Sequence, residues 1–454
     1  MSFKGRLFWL SLGVALVAVA LPVVACGEKK EEPSTTPGAT ANAPALTAEA
    51  GDTTGVTDTE IKLGIHIPLS QNSAAAYAPL AYGMRAFFDY INAQGGVYGR
   101  KITLLIGDDH YNPTDTVEIV KKLVEQDRVF AIVGGLGEAP HSAVWKYLEE
   151  KGVPDMFISS GLTKWTDPVV RTRFAGNPDY ATEGTVLGQY IAKNYNGKKL
   201  GLLLQNDEFG AEGEKGLLRG IEGSDVKIVA READEPTDVD VAAQTQRLKN
   251  AGAEVIAAWT HPVQAASLVK TARELLNWDV PIIVTGVDCG DIFIALAGAD
   301  NAEGVVSVVF GHQAYETQLP GVQKYEKIWD KFANGTTGPL SNFELYGMSV
   351  AEATVWDLEM AGQDLTRGSF LDAAESMCNF YCTTCVGFGP WNTSATDHRI
   401  NEVEQINIVK DGKWVAVGDT VSFESTKSCT PKMSPTGFED QPKVGADAEY
   451  VDVP

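Results

Sequence analysis

Along most of this chain apolar residues recur in two alternating rhythms. Short runs with a β-branched bias are followed by longer stretches whose apolar positions fall three or four apart, and Gly, Pro or Asn punctuate the joins. Ile61 to Leu69 is the first short run; Ala74 to Ala93 has helical spacing and stops at Gly95-Gly96. Strand-like Lys101 to Ile106, Val129 to Val133 and Met156 to Ser159 alternate with helical Thr114 to Gln126 and His141 to Glu150. The rhythm breaks near Asn177-Pro178 and resumes with Leu200 to Leu204, a helix through Leu217 and Ile221, and Val226 to Ala230. A helix from Val239 to Asn250, Val255 to Trp259, a helix from Val263 to Leu276, Ile282 to Val284 and Val305 to Phe310 follow. Three helices (Gly321 to Phe332, Phe343 to Met360, Gly368 to Met377) and a closing strand pair (Val403 to Val409, Trp414 to Val417) complete the pattern.

Strands separated by helices at intervals of roughly thirty residues are βαβ units, which predict parallel sheets covered on both faces. The break near Asn177 predicts two similar sheets. A length of 454 residues agrees, since one core rarely grows that large. Ligands of open parallel sheets lie outside the carboxyl ends of the strands. Those ends here are the loops Ser70 to Tyr77, Asp109 to Tyr111, Gly134 to Glu138, Ser160 to Thr163, Gln205 to Gly210, Thr260-His261 and Thr285 to Asp288.

The two ends of the chain read differently. Lys4 and Arg6 precede an apolar run from Leu7 to Ala25, and Val23-Val24-Ala25-Cys26 closes it. Basic flank, apolar centre and small residue are the parts of an export signal. A Cys directly after the break resembles a bacterial lipobox, with residues 1–25 removed and Cys26 acylated. A plain transmembrane anchor is the competing reading; both put the body outside the cytoplasmic membrane. Residues 26–56 then form a tether too poor in large apolar side chains to fold, and 431–454 form a polar tail.

Hydrophobic residues at 44% and charged ones at 21% are a globular composition, and a net charge of −23 argues against nucleic acid as a partner. Cys378, Cys382, Cys385 and Cys429 invite disulfides in an oxidising envelope, with three pairings open. Zinc or redox chemistry at Cys382-Thr383-Thr384-Cys385 lacks a second CxxC or a His pair.

Several stretches resemble the branched-chain amino acid-binding family of type I periplasmic binding proteins. They are Thr57-Asp58-Thr59-Glu60-Ile61-Lys62-Leu63-Gly64, Ile91 to Arg100, Leu123 to Asp127, Gly152-Val153-Pro154, Asn206 to Gly210 and Leu248 to Ala253. The resemblance runs from Thr57 to Gly418. It implies an α/β clamp of two lobes, each a parallel sheet with helices on both faces, joined by three crossovers near Asn177, Phe310 and Gly389. One lobe would be 57–177 with 311–388, the other 178–310 with 389–430. The lobes would hinge shut on a small solute and present it to the permease subunits of an ABC importer. The protein would act as a monomer without a cofactor.

Site residues follow from the same resemblance. In the family a hydroxyl-bearing loop and a Thr hold the ligand carboxylate. Ser160-Gly161-Leu162-Thr163 puts Thr163 at that Thr, with Leu162 beside it. Glu138, followed by Ala139, stands where Ser is usual, and its charge would repel a carboxylate; alternatively Glu138 only stabilises the start of the next helix. Asp288 matches the family's acidic partner for an ammonium group, against an ordinary helix cap. Tyr77, Tyr180, Phe209 and Trp259 fall at or beside the family's aromatic walls, and His261 follows Trp259 in a cleft loop. With Glu138 and Asp288 both in the cleft, an amine, amide or cationic ligand is expected. His66 reads as a core residue, and Asp108-Asp109-His110 as a strand end and turn.

No GxSxG elbow, HExxH or phosphate-binding GxxxxGK[ST] occurs, so the chain does not read as an enzyme. A ligand-sensing receptor of the same fold, acting on a membrane signalling partner, is the alternative to transport.

Overall fold

The computed structural model describes residues 51–423, apart from 72, 335, 337, 381 and 383–387. The leader, Cys26, Cys385, Cys429 and the 431–454 tail lie outside the described residues.

The chain first builds β1 (Glu60–Ile67), α1 (Pro79–Ala93), β2 (Lys101–Asp108), α2 (Pro113–Lys121), β3 (Ala131–Val133), α3 (Glu138–Ser142), α4 (Trp145–Glu150), β4 (Asp155–Ile158) and β5 (Arg173–Ala175). The five strands form one parallel sheet in the order β2-β1-β3-β4-β5. A second sheet grows from α5 (Tyr180–Asn194), β6 (Lys199–Gln205), α6 (Glu208–Ile221), β7 (Lys227–Asp234), α7 (Ala242–Asn250), β8 (Val255–Trp259), α8 (Pro262–Lys270), β9 (Ile282–Val284), α9 (Asp291–Ala297), α10 (Ala299–Ala302) and β10 (Val306–Val309). The chain then returns to the first lobe as α11 (Pro320–Phe332), α12 (Asn342–Ala361) and α13 (Arg367–Ala374), whose Tyr325, Met348 and Phe370 join the core under β1. It ends on the second sheet with the antiparallel hairpin β11 (Val403–Lys410) and β12 (Lys413–Ser422), giving the order β12-β11-β10-β9-β8-β6-β7. The backbone therefore passes between the lobes three times.

Each sheet is apolar on both faces because helices cover both. In β3, Ala131 and Val133 face the core shared with α1 and α12, while Ile132 faces the core shared with α2 and α4. In β8, Ile256 and Ala258 pack on one side and Val255, Ala257 and Trp259 on the other. Alternate side chains point to opposite faces, so a strand buried on both sides must be apolar throughout.

The elements differ from the apolar rhythm in three places. Helix α5 and strand β5 were not anticipated. The helix expected from Val239 begins at Ala242, leaving Val239 exposed. The stretch His141 to Glu150 is two short helices, α3 beginning earlier, at Glu138.

Candidate functional site

The carboxyl ends of both sheets face a cleft of about 960 Å³, including its mouth to solvent. Its polar end is built around Glu138, the first residue of α3. Gly134 and Gly137 carry the loop before it at φ +69° and +99°, which only glycine adopts readily. A side chain at Gly137 would meet the Tyr111 ring at 2.6 Å, so this glycine also makes room for Tyr111. His110 and Tyr111 themselves stand at φ +52° and +55°, sparsely populated for non-glycine residues. Asp109 fixes that turn by accepting the Tyr111 N–H at 2.9 Å, and Asn112 caps α2 beyond it. The strained turn aims Tyr111 into the cleft.

Glu138 is 4% exposed. Tyr111 Oη donates to its Oε2 at 2.7 Å, and Tyr180 Oη, at the start of α5, donates to its Oε1 at 2.8 Å. One hydroxyl comes from each lobe, so the carboxyl is clasped from both sides. Burial pushes the Glu138 carboxyl up and Asp207 adds to this, while the two tyrosine hydroxyls pull it back. Both tyrosines are pushed well above their ordinary range by burial and by Glu138 itself, which keeps them as donors.

His261 reaches in from the second lobe, just before α8. Its ring packs edge-on against Tyr77 and Tyr111, both at 5.4 Å, and tilts against Phe209 at 5.7 Å. Burial drives its imidazole down to about 3, so the ring is neutral. Nε2 lies 3.5 Å from Tyr111 Oη. Since that hydroxyl's proton goes to Glu138, its oxygen can only accept from His261, which puts the imidazole proton on Nε2. Nδ1 is buried and has no partner among the described residues.

Of the ten residues the sequence singled out for the ligand, Tyr77, Glu138, Tyr180, Phe209 and His261 line this cleft. The other five do not. Trp259 stands behind Phe209 and Tyr180, at 5.8 and 6.1 Å. Thr163 has its N–H on Glu212 at 2.8 Å and its hydroxyl on Asp179 at 2.6 Å, so acidic side chains of α6 and of the α5 cap occupy the donors assigned to a ligand carboxylate. Leu162 is buried, and half-buried Ala139 is not among the residues of the cavity wall. Asp288 is wholly buried while Gly286, Val287, Cys289 and Gly290 around it form the wall. It does not cap α9 either, because Gly290 holds that position. Burial, then Glu183 and Asp234, push its carboxyl well above the usual range.

Sequence reasoning missed Tyr111 as a lining residue although its loop was marked. It also missed Phe310, Gln313, Asn342, Tyr346 and Trp391, which come from the later crossings and carry no local motif. Tyr346 donates to Asn177 Oδ1 at 2.7 Å, and Asn342 Nδ2 bonds Gln313 Oε1. Among the described residues lining the cleft there is neither Lys nor Arg.

Elsewhere His66 lies in the core, as expected, but not as a lone residue: Asp109, His66, His141 and Asp155 form a buried line of contacts at 2.8, 2.9 and 2.9 Å. His110 pairs with Asp108 and Asp115. Cys378 and Cys382 are disulfide-bonded, which removes both from the thiolates a zinc site needs. Among the described residues no group of three or more His, Cys, Asp or Glu converges on a metal position.

Two sheets, one parallel and one parallel but for its closing hairpin, joined by three crossings with a cleft at their carboxyl ends, define a two-lobed binding protein. Residues 60–413 match the model of the periplasmic binding protein family, and the chain belongs to that family. It is 29% identical over 192 residues to an amino acid binding protein of Pseudomonas aeruginosa, covering 40% of this chain and 49% of that one. The chain thus spans about half the length of that relative. A branched chain amino acid ABC transporter protein from Thermus thermophilus, solved with bound valine, superposes with a TM-score of 0.73 at 20% identity, covering 81% of this chain and 97% of that one. A fatty acid ABC transporter substrate-binding protein from Thermomonospora curvata gives 0.72 at 24% identity, with 82% and 95% covered. The periplasmic binding protein family is non-enzymatic, and membership in it implies a location outside the cytoplasmic membrane. Among the described residues no helix is long and apolar enough to cross a bilayer.

Proposed function

We propose that this protein is the substrate-binding lipoprotein of an ABC importer, held to the membrane through acylated Cys26. It captures a small polar organic solute of the amino acid, amide or amine type by hinged closure of its lobes and delivers it, as a monomer, to permease subunits. The observation that carries this reading is Glu138, clasped by Tyr111 of one lobe and Tyr180 of the other at the end of an enclosed cleft. A group gripped from both sides couples the contents of the cleft to the angle between the lobes.

The test is a thermal shift of the purified protein against amino acids, amides, amines, neutral sugars and aromatic acids. A ligand at a hundred times its dissociation constant adds about 2.7 kcal/mol to the folded state, a rise of a few degrees. A hit accompanied by a smaller radius of gyration in solution scattering supports capture by closure. A panel without a response counts against solute binding.

A further inference from the structure

We infer that the cleft selects solutes whose head group donates N–H or O–H hydrogen bonds and discriminates against free carboxylates, with Glu138 as the residue that sets this preference. The inference rests on the solute-binding reading above and adds the class of head group.

The buried polar end presents acceptors. The Glu138 carboxyl takes one tyrosine hydroxyl on each oxygen and its own backbone N–H besides, which leaves it one acceptor position to offer. Tyr111 Oη and Tyr180 Oη have spent their single protons on Glu138. The proton of His261 faces Tyr111, leaving Nδ1 as a bare acceptor, buried and without a partner among the described residues. A donor entering here satisfies that nitrogen, and a buried acceptor left unmade costs more than the bond is worth on average.

A carboxylate brings only acceptors to this end. It would face Glu138 across a medium that screens charge poorly, and no Lys or Arg among the described lining residues offsets the repulsion. The rest of the wall is mainly aromatic, aliphatic or amide in character, with Phe310, Phe343 and Leu345 beside Gln313 and Asn342; it also holds Ser159, Ser349 and His312, whose ring is paired with Glu316 at 3.1 Å. That suits an apolar body behind a donating head. A carboxamide and an ammonium share the required chemistry, and the experiment separates them.

Calorimetric titration of the full-length protein at pH 7.5 would use matched probes: leucine against leucinamide, benzoate against benzamide. Leucinamide carries both an ammonium and an amide, benzamide an amide alone. The amide of each pair is expected to bind at least about ten-fold tighter than its acid, a gap of about 1.4 kcal/mol. Binding of benzamide assigns the donor to the amide; binding of leucinamide alone assigns it to the ammonium. Acids binding as well as their amides would overturn the inference while leaving solute capture intact. Absence of binding by all four probes, with no hit in the wider panel, overturns the solute-binding reading itself. Glu138→Gln keeps an acceptor for the tyrosines and removes the charge, so the preference should shrink several-fold; an unchanged ratio removes Glu138 from this role. Should that variant fold poorly, His261→Phe keeps the ring and deletes the acceptor. It is expected to lose amide binding at least about ten-fold, and undiminished binding would equally sink the assignment.

Discussion

The residues that shape this site are acids withdrawn from water. Glu183 is 1% exposed; its Oε1 accepts the Thr285 hydroxyl and the Gly286 N–H, both at 2.7 Å. Burial pushes its carboxyl up to about 7, against those two bonds and with Asp179 adding to the rise. Asp234, 2% exposed and bonded to Thr260 at 2.6 Å, is likewise pushed up to about 7, first by burial. In the unfolded chain both titrate near 4. Between those values the folded state holds two protons that the unfolded state has released, so stability falls as pH rises toward 7 and levels off above it. His261, driven down to about 3, acts the other way. Below about 6.5 the unfolded chain takes up a proton that the folded state refuses, which cancels one of the two carboxyl contributions. The net expectation is a melting temperature that rises from pH 8 to pH 5.5. Glu183→Gln and Asp234→Asn should each flatten the rise, and melts across that range decide it. A proton count gives the buried histidine line its meaning as well. Three contacts along Asp109, His66, His141 and Asp155 need three protons, one more than two neutral imidazoles carry. None of this is legible in sequence, where His66 is only a histidine in a strand and Glu183 only a charge on a helix.

At the scale of elements, α5 packs against α6 backbone to backbone, and glycines make this possible. A side chain at Gly188 would lie 2.6 Å from Leu217 O, at Gly216 2.5 Å from Ala181 O, and at Gly220 2.4 Å from Thr185 O. Backbone faces backbone along this seam, and neither can retreat. The seam sets Tyr180 and Phe209, near the starts of the two helices, 4.8 Å apart at the cleft. Gly216→Ala should therefore cost about 1–3 kcal/mol or more through overpacking, although alanine is the better helix former. Chemical denaturation reads that loss; an unchanged or raised midpoint would show that the helices can separate cheaply. The same glycines explain why α5 was hidden. Its buried face is Tyr180, Ala181, Glu183, Gly184, Leu187, Gly188 and Ile191, in which one alanine, two glycines and a glutamate interrupt the apolar rhythm. By contrast Val255–Trp259 and Ile282–Val284 were legible to the residue, because a strand buried on both faces is an unbroken apolar run. Strand β5, Arg173–Ala175, is three residues with an arginine at its head and offered no such run.

At the scale of the whole molecule, the two sheets and the strand-end loops were legible, since the rhythm of βαβ units fixes where loops cluster. Which side chains in those loops face inward was legible only in part, because that depends on the far lobe. Thr163 is filled by Glu212, and the wall from Phe310 to Asn342 arrives from the other end of the chain. The contacts between the lobes include an exposed ion pair and a buried hydrogen bond. At the rim, Lys164 pairs with Glu208, whose side chain is 56% exposed, and also reaches Ser142 at 2.8 Å. At the centre, Tyr180 grips Glu138 in full burial. Exposed ion pairs contribute about 0–1 kcal/mol, whereas a buried hydrogen bond to a charged group contributes about 1.5–3 kcal/mol. Closure should then depend on the clasp and not on the rim. Tyr180→Phe is expected to weaken ligand binding by roughly ten-fold or more, and Lys164→Ala by less than about five-fold. Calorimetry gives the two affinities, and scattering with and without ligand reports whether each variant still closes. A larger loss from Lys164→Ala would move the control of closure from the buried carboxyl to the surface, and the coupling of cleft contents to lobe angle would have to run through the rim.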